Sequence, residues 1–159
     1  MNQLSVSLEP NPIVMRVDAH WLRNYAGDFL SAAKQFSPPT NRFSPGQTYL
    51  TCHSIELSLK SYLFTVGLKK ADRKRLNHNL EHALKSAELH GRCTYVDVTD
   101  HDRDQLRKAN RPYAKKEFEY FESLETIYDP LDFDLSALLM FATKVYEGIE
   151  SPVRDSVIV

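Results

Sequence analysis

Glycine is scarce in this chain, with 5 among 159 residues, and the 8 prolines are scattered. So few turn formers argue against a turn-rich all-β fold. Cysteine is scarcer still. Cys52 and Cys93 lie far apart and form no CxxC pair, so they read as two reduced thiols of a cytoplasmic protein. Neither sign of charge dominates: 20 Lys and Arg face 21 Asp and Glu, a formal net charge of -1. There is then no global electrostatic case for nucleic acid or membrane. The apolar runs fall far short of the ~18 residues a membrane span needs. The N-terminus lacks a basic segment followed by an apolar one, so no signal peptide is expected. GxSxG, a Walker-type loop, GxGxxG and a paired-carboxylate signature are all missing, which leaves an ordinary hydrolase or nucleotide-dependent enzyme without positive support. Nothing in the sequence asks for a cofactor.

What is present is a globular composition, 42% hydrophobic and 26% charged, long enough for one domain around one core. Residues 1–17 hold two prolines and no helical period, and read as an extended arm. Residues 18–150 read as a single helical domain and 151–159 as a loose tail. The expected fold is all-α, an up-and-down bundle of about five helices.

Asp18 is placed to cap a first helix, with Trp21, Leu22, Tyr25, Ala26, Phe29, Leu30, Ala33 and Phe36 on one broad apolar face. A capping box at Ser44-Pro45-Gly46-Gln47 opens a second helix, expected over about 45–67. Cys52, Ile55, Leu59, Tyr62 and Val66 form one stripe on it; Leu50, Leu57 and Phe64 lie roughly opposite. Thr51, Ser54, Ser58, Ser61 and Thr65 fill one side between them, small residues that permit close helix approach. His53, Glu56 and Lys60 fill the other. A helix apolar on two opposed faces is normally central. After a basic loop (69–75), a third helix runs from near Asn79 to a C-cap at Gly91, with Leu80, Ala83, Leu84 and Ala87 inward. Residues 92–98 have strand-like composition but cannot build a sheet. Thr99 caps a fourth helix, which Pro112 should kink or divide. In the acidic, aromatic stretch after it, Phe118, Phe121, Leu124 and Tyr128 are spaced to continue a helix. Asp134 caps the last helix, carrying Leu135, Leu138, Leu139, Ala142, Val145, Tyr146 and Ile149.

The chemistry-bearing residues gather around the second helix. Glu56 and Lys60 stand at i,i+4 in the favourable order for an ion pair. Apolar stripes on both sides imply partial burial, so the pair is either an internal tie between helices or part of a polar pocket at the bundle centre or a dimer seam. His53 is one turn earlier on the same face. His78, just before the third helix, is placed to hydrogen-bond the helix start or to reach Glu56. His78 and His82 are spaced to share a metal, but no third ligand and no HExxH glutamate accompany them, so no metal site is expected. Lys69, Lys70, Arg73, Lys74 and Arg75, and Arg103, Arg107, Lys108 and Arg111, form two basic groups with no RNP-type aromatic motif beside them.

Ser54-Ile55-Glu56-Leu57-Ser58-Leu59-Lys60, followed by Asn77-His78-Asn79-Leu80 and Leu84, resembles the HEPN family, whose members often read "aiElalKa" and then "gHdl…L…a". Leu106-Arg107-Lys108-Ala109-Asn110-Arg111-Pro112-Tyr113, with Glu117-Phe118-Glu119-Tyr120, looks like that family's "L…n..Y..kr.rY" region. The resemblance spans roughly residues 19–148. It implies an up-and-down helical bundle, commonly a homodimer. It also implies one of three roles: RNase, partner of a minimal nucleotidyltransferase in a toxin–antitoxin system, or nucleotide- or RNA-binding module. RNase members carry Arg-x(4–6)-His late in the bundle. Here no histidine follows His101. Arg73-x4-His78 has the spacing but falls where the family's non-catalytic histidine lies, and Asn77 replaces the glycine before it, which a left-handed turn tolerates.

Three readings follow. The first is a non-catalytic HEPN-like domain binding a protein partner, a nucleotide or RNA, with Glu56, Lys60 and His78 lining its site and His53 and Tyr113 beside them. The second is a metal-independent ribonuclease in which Arg73 or another basic residue stabilises the phosphorane and His78 is general base or acid. The third is a purely structural oligomeric protein whose polar helix face is an internal network.

Overall fold

Caps placed by the sequence start most of the helices. In the computed structural model, which describes residues 17–36, 44–91, 95–119 and 134–156, seven helices follow one another: α1 Ala19–Gln35, α2 Pro45–Thr65, α3 Lys70–Arg75, α4 Leu80–Leu89, α5 Asp100–Ala114, α6 Leu135–Gly148 and α7 Glu150–Asp155. Five are longer helices and form the expected all-α bundle; α3 and α7 are short. Asp18, Ser44, Asn79, Thr99 and Asp134 each accept a backbone N–H from the first turn they cap. Each such cap is worth about 1 kcal/mol. The box at Thr99 is complete, with Asp102 reaching back to the Thr99 amide at 2.9 Å. The box expected at Ser44 is only half made, because Gln47 turns its amide to the Ala33 carbonyl of α1 instead.

α2 is the centre. It packs against α1, α4, α5, α6 and α7, and residues on all its sides are buried. The hydroxyl stripe does more than allow close approach. Gln47, Ser54 and Ser61 donate to the carbonyls of Ala33, Ala26 and Ala19 at 2.9, 2.9 and 2.6 Å. Seven residues along α2 match seven back along α1, so the two helices run antiparallel with buried alanines at the seam. Each bond adds about 1 kcal/mol net, and each satisfies a hydroxyl or amide that would otherwise be costly to bury.

Several expectations are corrected. Tyr25 and Phe36, placed on the inner face of α1, are exposed, while Ala26, Leu30 and Ala33 carry its burial. The basic stretch 69–75 is mostly helix, as α3. Pro112 does not divide α5; it sits in the last turn, where its ring removes one bond near an end that was due anyway. The chain beyond Pro152 is helical to Asp155, and Val153 is fully buried in the core. Residues 1–16, Cys93, and Phe121, Leu124 and Tyr128 lie outside the described residues. Among the described residues no helix is long and apolar enough to cross a membrane.

Candidate functional site

One side of α2 presents Tyr49, His53, Glu56 and Lys60 at steps of four, three and four, so they stack along one face. Two other elements close on it. The turn between α3 and α4 delivers His78, and the end of α5 delivers Tyr113. The turn depends on Asn77, whose φ of +48° is left-handed. Asparagine tolerates that region better than most residues, as the sequence suggested.

Glu56 is the hub. Its residue is 3% exposed, yet its carboxylate collects three side-chain donors. Lys60 Nζ lies 2.5 Å from Oε1, and it also donates to the Asn77 carbonyl at 2.9 Å. The Tyr113 hydroxyl donates to Oε2, and His78 Nδ1 lies 3.1 Å from the same oxygen. His53 Nδ1 is 2.7 Å from the Tyr113 oxygen and 3.7 Å from Glu56 Oε2. The structure therefore brings together Glu56, Lys60, His78, His53 and Tyr113.

Arg73 is not among them. Its guanidinium donates to the Leu68 carbonyl and lies 4.1 Å over the Phe64 ring. Among the described residues no hydrogen bond or ring contact joins it to His78, so the Arg-x4-His spacing does not assemble a pair here. His82, the other histidine weighed as a ligand, is exposed on the first turn of α4. Among the described residues no group of three or more His, Cys, Asp or Glu side chains converges as metal ligands would.

Burial alone would raise the Glu56 pKa. The Lys60 ammonium, with the hydrogen bonds from Lys60, Tyr113 and His78, outweighs it and holds the carboxyl below its ordinary value. Glu56 is therefore ionised at neutral pH. Burial and the adjacent Glu56 charge push the Tyr113 phenol far up, which keeps its proton in place. Burial pulls the His53 imidazole down, against the attraction of Glu56. Burial, then Glu119 and Glu56, raises Tyr49.

Counting protons then assigns the tautomers. Tyr113 has one hydroxyl hydrogen, and it goes to Glu56, so His53 Nδ1 must carry the hydrogen of the His53–Tyr113 bond. His78 Nδ1 faces a carboxylate and must also be an N–H. Both imidazoles turn Nδ1 inward, and each neutral ring keeps its lone pair on Nε2. The two side chains are 18% and 24% exposed, so each reaches solvent.

Aromatic rings border this centre. Tyr49 lies nearly parallel to His53, 13° between planes and 5.5 Å between centroids, and Phe29 meets His53 edge-on at 4.4 Å. Phe29 continues through Tyr25 to Trp21 along α1, each step 4.9 Å. Tyr113 stands 5.9 Å from His78 and 6.0 Å from Tyr49.

Sequence reasoning missed Tyr49, Phe29 and Asn110 as neighbours of this site. Tyr49 had a signal, one turn before His53 on the same helix face. Asn110 had one too, three residues before Tyr113 on α5. Phe29 had none, since only the packing of α1 on α2 brings it there. Compared with known proteins, the chain matches no family model, no curated protein and no solved structure.

Proposed function

We propose that the chain is a non-catalytic HEPN-like domain whose His53–Glu56–His78 face binds a nucleotide or single-stranded RNA. The observation that carries this is the common orientation of the two imidazoles. Both direct Nδ1 to the Glu56–Tyr113 centre, which leaves the lone pair of each neutral ring on Nε2; the rings of Tyr49 and Phe29 border His53, and that of Tyr113 borders His78. Flat aromatic faces next to hydrogen-bonding edges suit a nucleobase, which offers a π-face and a polar edge together. The carboxylate is buried and already accepts from three side chains, so it orients the site and does not bind the ligand.

Calorimetric titration with nucleoside monophosphates and a short single-stranded RNA tests the reading. Binding by wild type and a loss of at least tenfold in folded His78→Ala and His53→Ala supports it. No binding of any of them refutes it and leaves a protein partner or the structural reading, in which the network only ties α2, α5 and the turn before α4.

The paired imidazoles also favour a second reading, a metal-independent ribonuclease with one ring as base and the other as acid. Cleavage of labelled RNA in EDTA by wild type, abolished in folded His78→Ala, would establish it over the first. The resemblance further implies a homodimer or a nucleotidyltransferase-like partner, which light scattering and co-purification check.

A further inference from the structure

Asn110 is 5% exposed on α5, and its amide bonds residues 79–81, immediately after His78. Its Oδ1 accepts the Leu80 amide at 2.8 Å. Its Nδ2 lies 3.0 Å from Glu81 Oε2 and 3.4 Å from Asn79 Oδ1. Asn79 in turn caps α4 through the His82 amide at 2.9 Å. Residues 79 to 81 are thus fastened to α5 immediately after His78. On the other side, Lys60 holds the Asn77 carbonyl. His78 sits between two clamps, at the left-handed turn of Asn77.

We infer that Asn110 is a positioning residue for the candidate site, fixing His78 so that Nδ1–H meets Glu56 and the lone pair stays on Nε2. α5 then governs the site twice: directly through Tyr113, and through Asn110, one turn earlier, by way of the backbone. The inference deepens the binding reading and rests on His78 belonging to that site. A hydrogen-bonded network is as precise as the supports of its first members, and a ring that can swing loses its fixed tautomer.

The test reads the tautomer and needs no ligand, so it fails separately from the binding reading. Long-range 1H–15N spectra of histidine-labelled protein, about two pH units above the ordinary imidazole pKa, report which ring nitrogen carries the hydrogen. In wild type His78 is expected as Nδ1–H. Asn110→Asp keeps the acceptor for Leu80, loses both donors and faces Glu81; His78 should shift largely to Nε2–H, the form a free imidazole prefers, while His53 stays Nδ1–H. Adding Glu81→Gln supplies a donor to the introduced carboxylate, reversing the polarity of the original bond, and should restore Nδ1–H at His78. An unchanged His78 in the folded single variant overturns the assignment. A loss of Nδ1–H at His53 and His78 together also overturns it, since Asn110 would then support the helix generally. Failure of both variants to fold would make Asn110 a folding residue and overturns it as well.

Discussion

Glu56→Gln is the sharpest test of the network, because it changes almost no volume. The carboxylate accepts from three donors, two on Oε2 and one on Oε1. Glutamine keeps one oxygen and puts an NH2 where the other was. With the NH2 toward Lys60, donor faces donor; with it toward Tyr113 and His78, the phenol must turn and the imidazole change tautomer to accept, and either way Lys60 loses its charged partner. Removing one partner of a buried ion pair costs about 3–5 kcal/mol. Here the Lys60 side chain is 20% exposed and retains the Asn77 carbonyl, so its ammonium rehydrates in part and the low end applies, about 3 kcal/mol. For a domain of this size that corresponds to a fall in Tm of about 6–12 °C. Adding Lys60→Met removes the stranded charge and should recover about half of the loss, the coupling expected of a contacting pair. Urea and thermal melts near neutral pH measure both. If Glu56→Gln alone stays within about 1 kcal/mol of wild type, the carboxylate is not the buried hub described here.

Acid should weaken the fold in two stages, because both shifts run downward. The His53 pKa is depressed by burial, so stability held above about pH 6.5 declines as pH falls toward the folded value; Glu56 follows, its contribution full above about pH 4.3 and lost as pH falls through its lower folded value. His53→Asn keeps an N–H near the Nδ1 position without titrating, and should flatten the first stage in urea melts across that range; an unaltered slope would contradict the assignment. Ser58 is fully buried with no partner for its hydroxyl among the described residues, so Ser58→Ala should be neutral or stabilising, while Ser54→Ala and Ser61→Ala each cost about 1 kcal/mol; equal losses at all three would show that the hydroxyl bonds to α1 add nothing. A methyl on Gly148 would meet the Val96 side chain and approach the Tyr95 carbonyl to 2.8 Å, so Gly148→Ala should cost about 1–3 kcal/mol in the same melts, and a wild-type midpoint would refute that packing.

Helix starts were legible because a cap is a local event. Asp18, Asn79, Thr99 and Asp134 each satisfy an amide three residues on, and that spacing is written in the chain. The central place of α2 was legible for a similar reason: apolar stripes on opposed faces have no solvent side to turn to. So was the shared face of His53, Glu56 and Lys60, set by helical period alone.

Partners across elements are a different matter. Gln47 looked like half of a capping box because its spacing from Ser44 is right, but the Ala33 carbonyl of a neighbouring helix competes for the same amide and wins. Arg73 and His78 have a spacing that suggests cooperation, yet the fold sends the arginine to Leu68 and Phe64 and the histidine to Glu56. Sequence alone determined which side chains share a face of α2 and where the five longer helices begin. That Glu56 is shared by Tyr113 and His78, that both imidazoles turn Nδ1 inward, and that Asn110 clamps the turn between them was decided by tertiary structure. Those contacts join residues 22 to 60 positions apart, and only the docking angle of one helix on another selects which donor reaches a given oxygen.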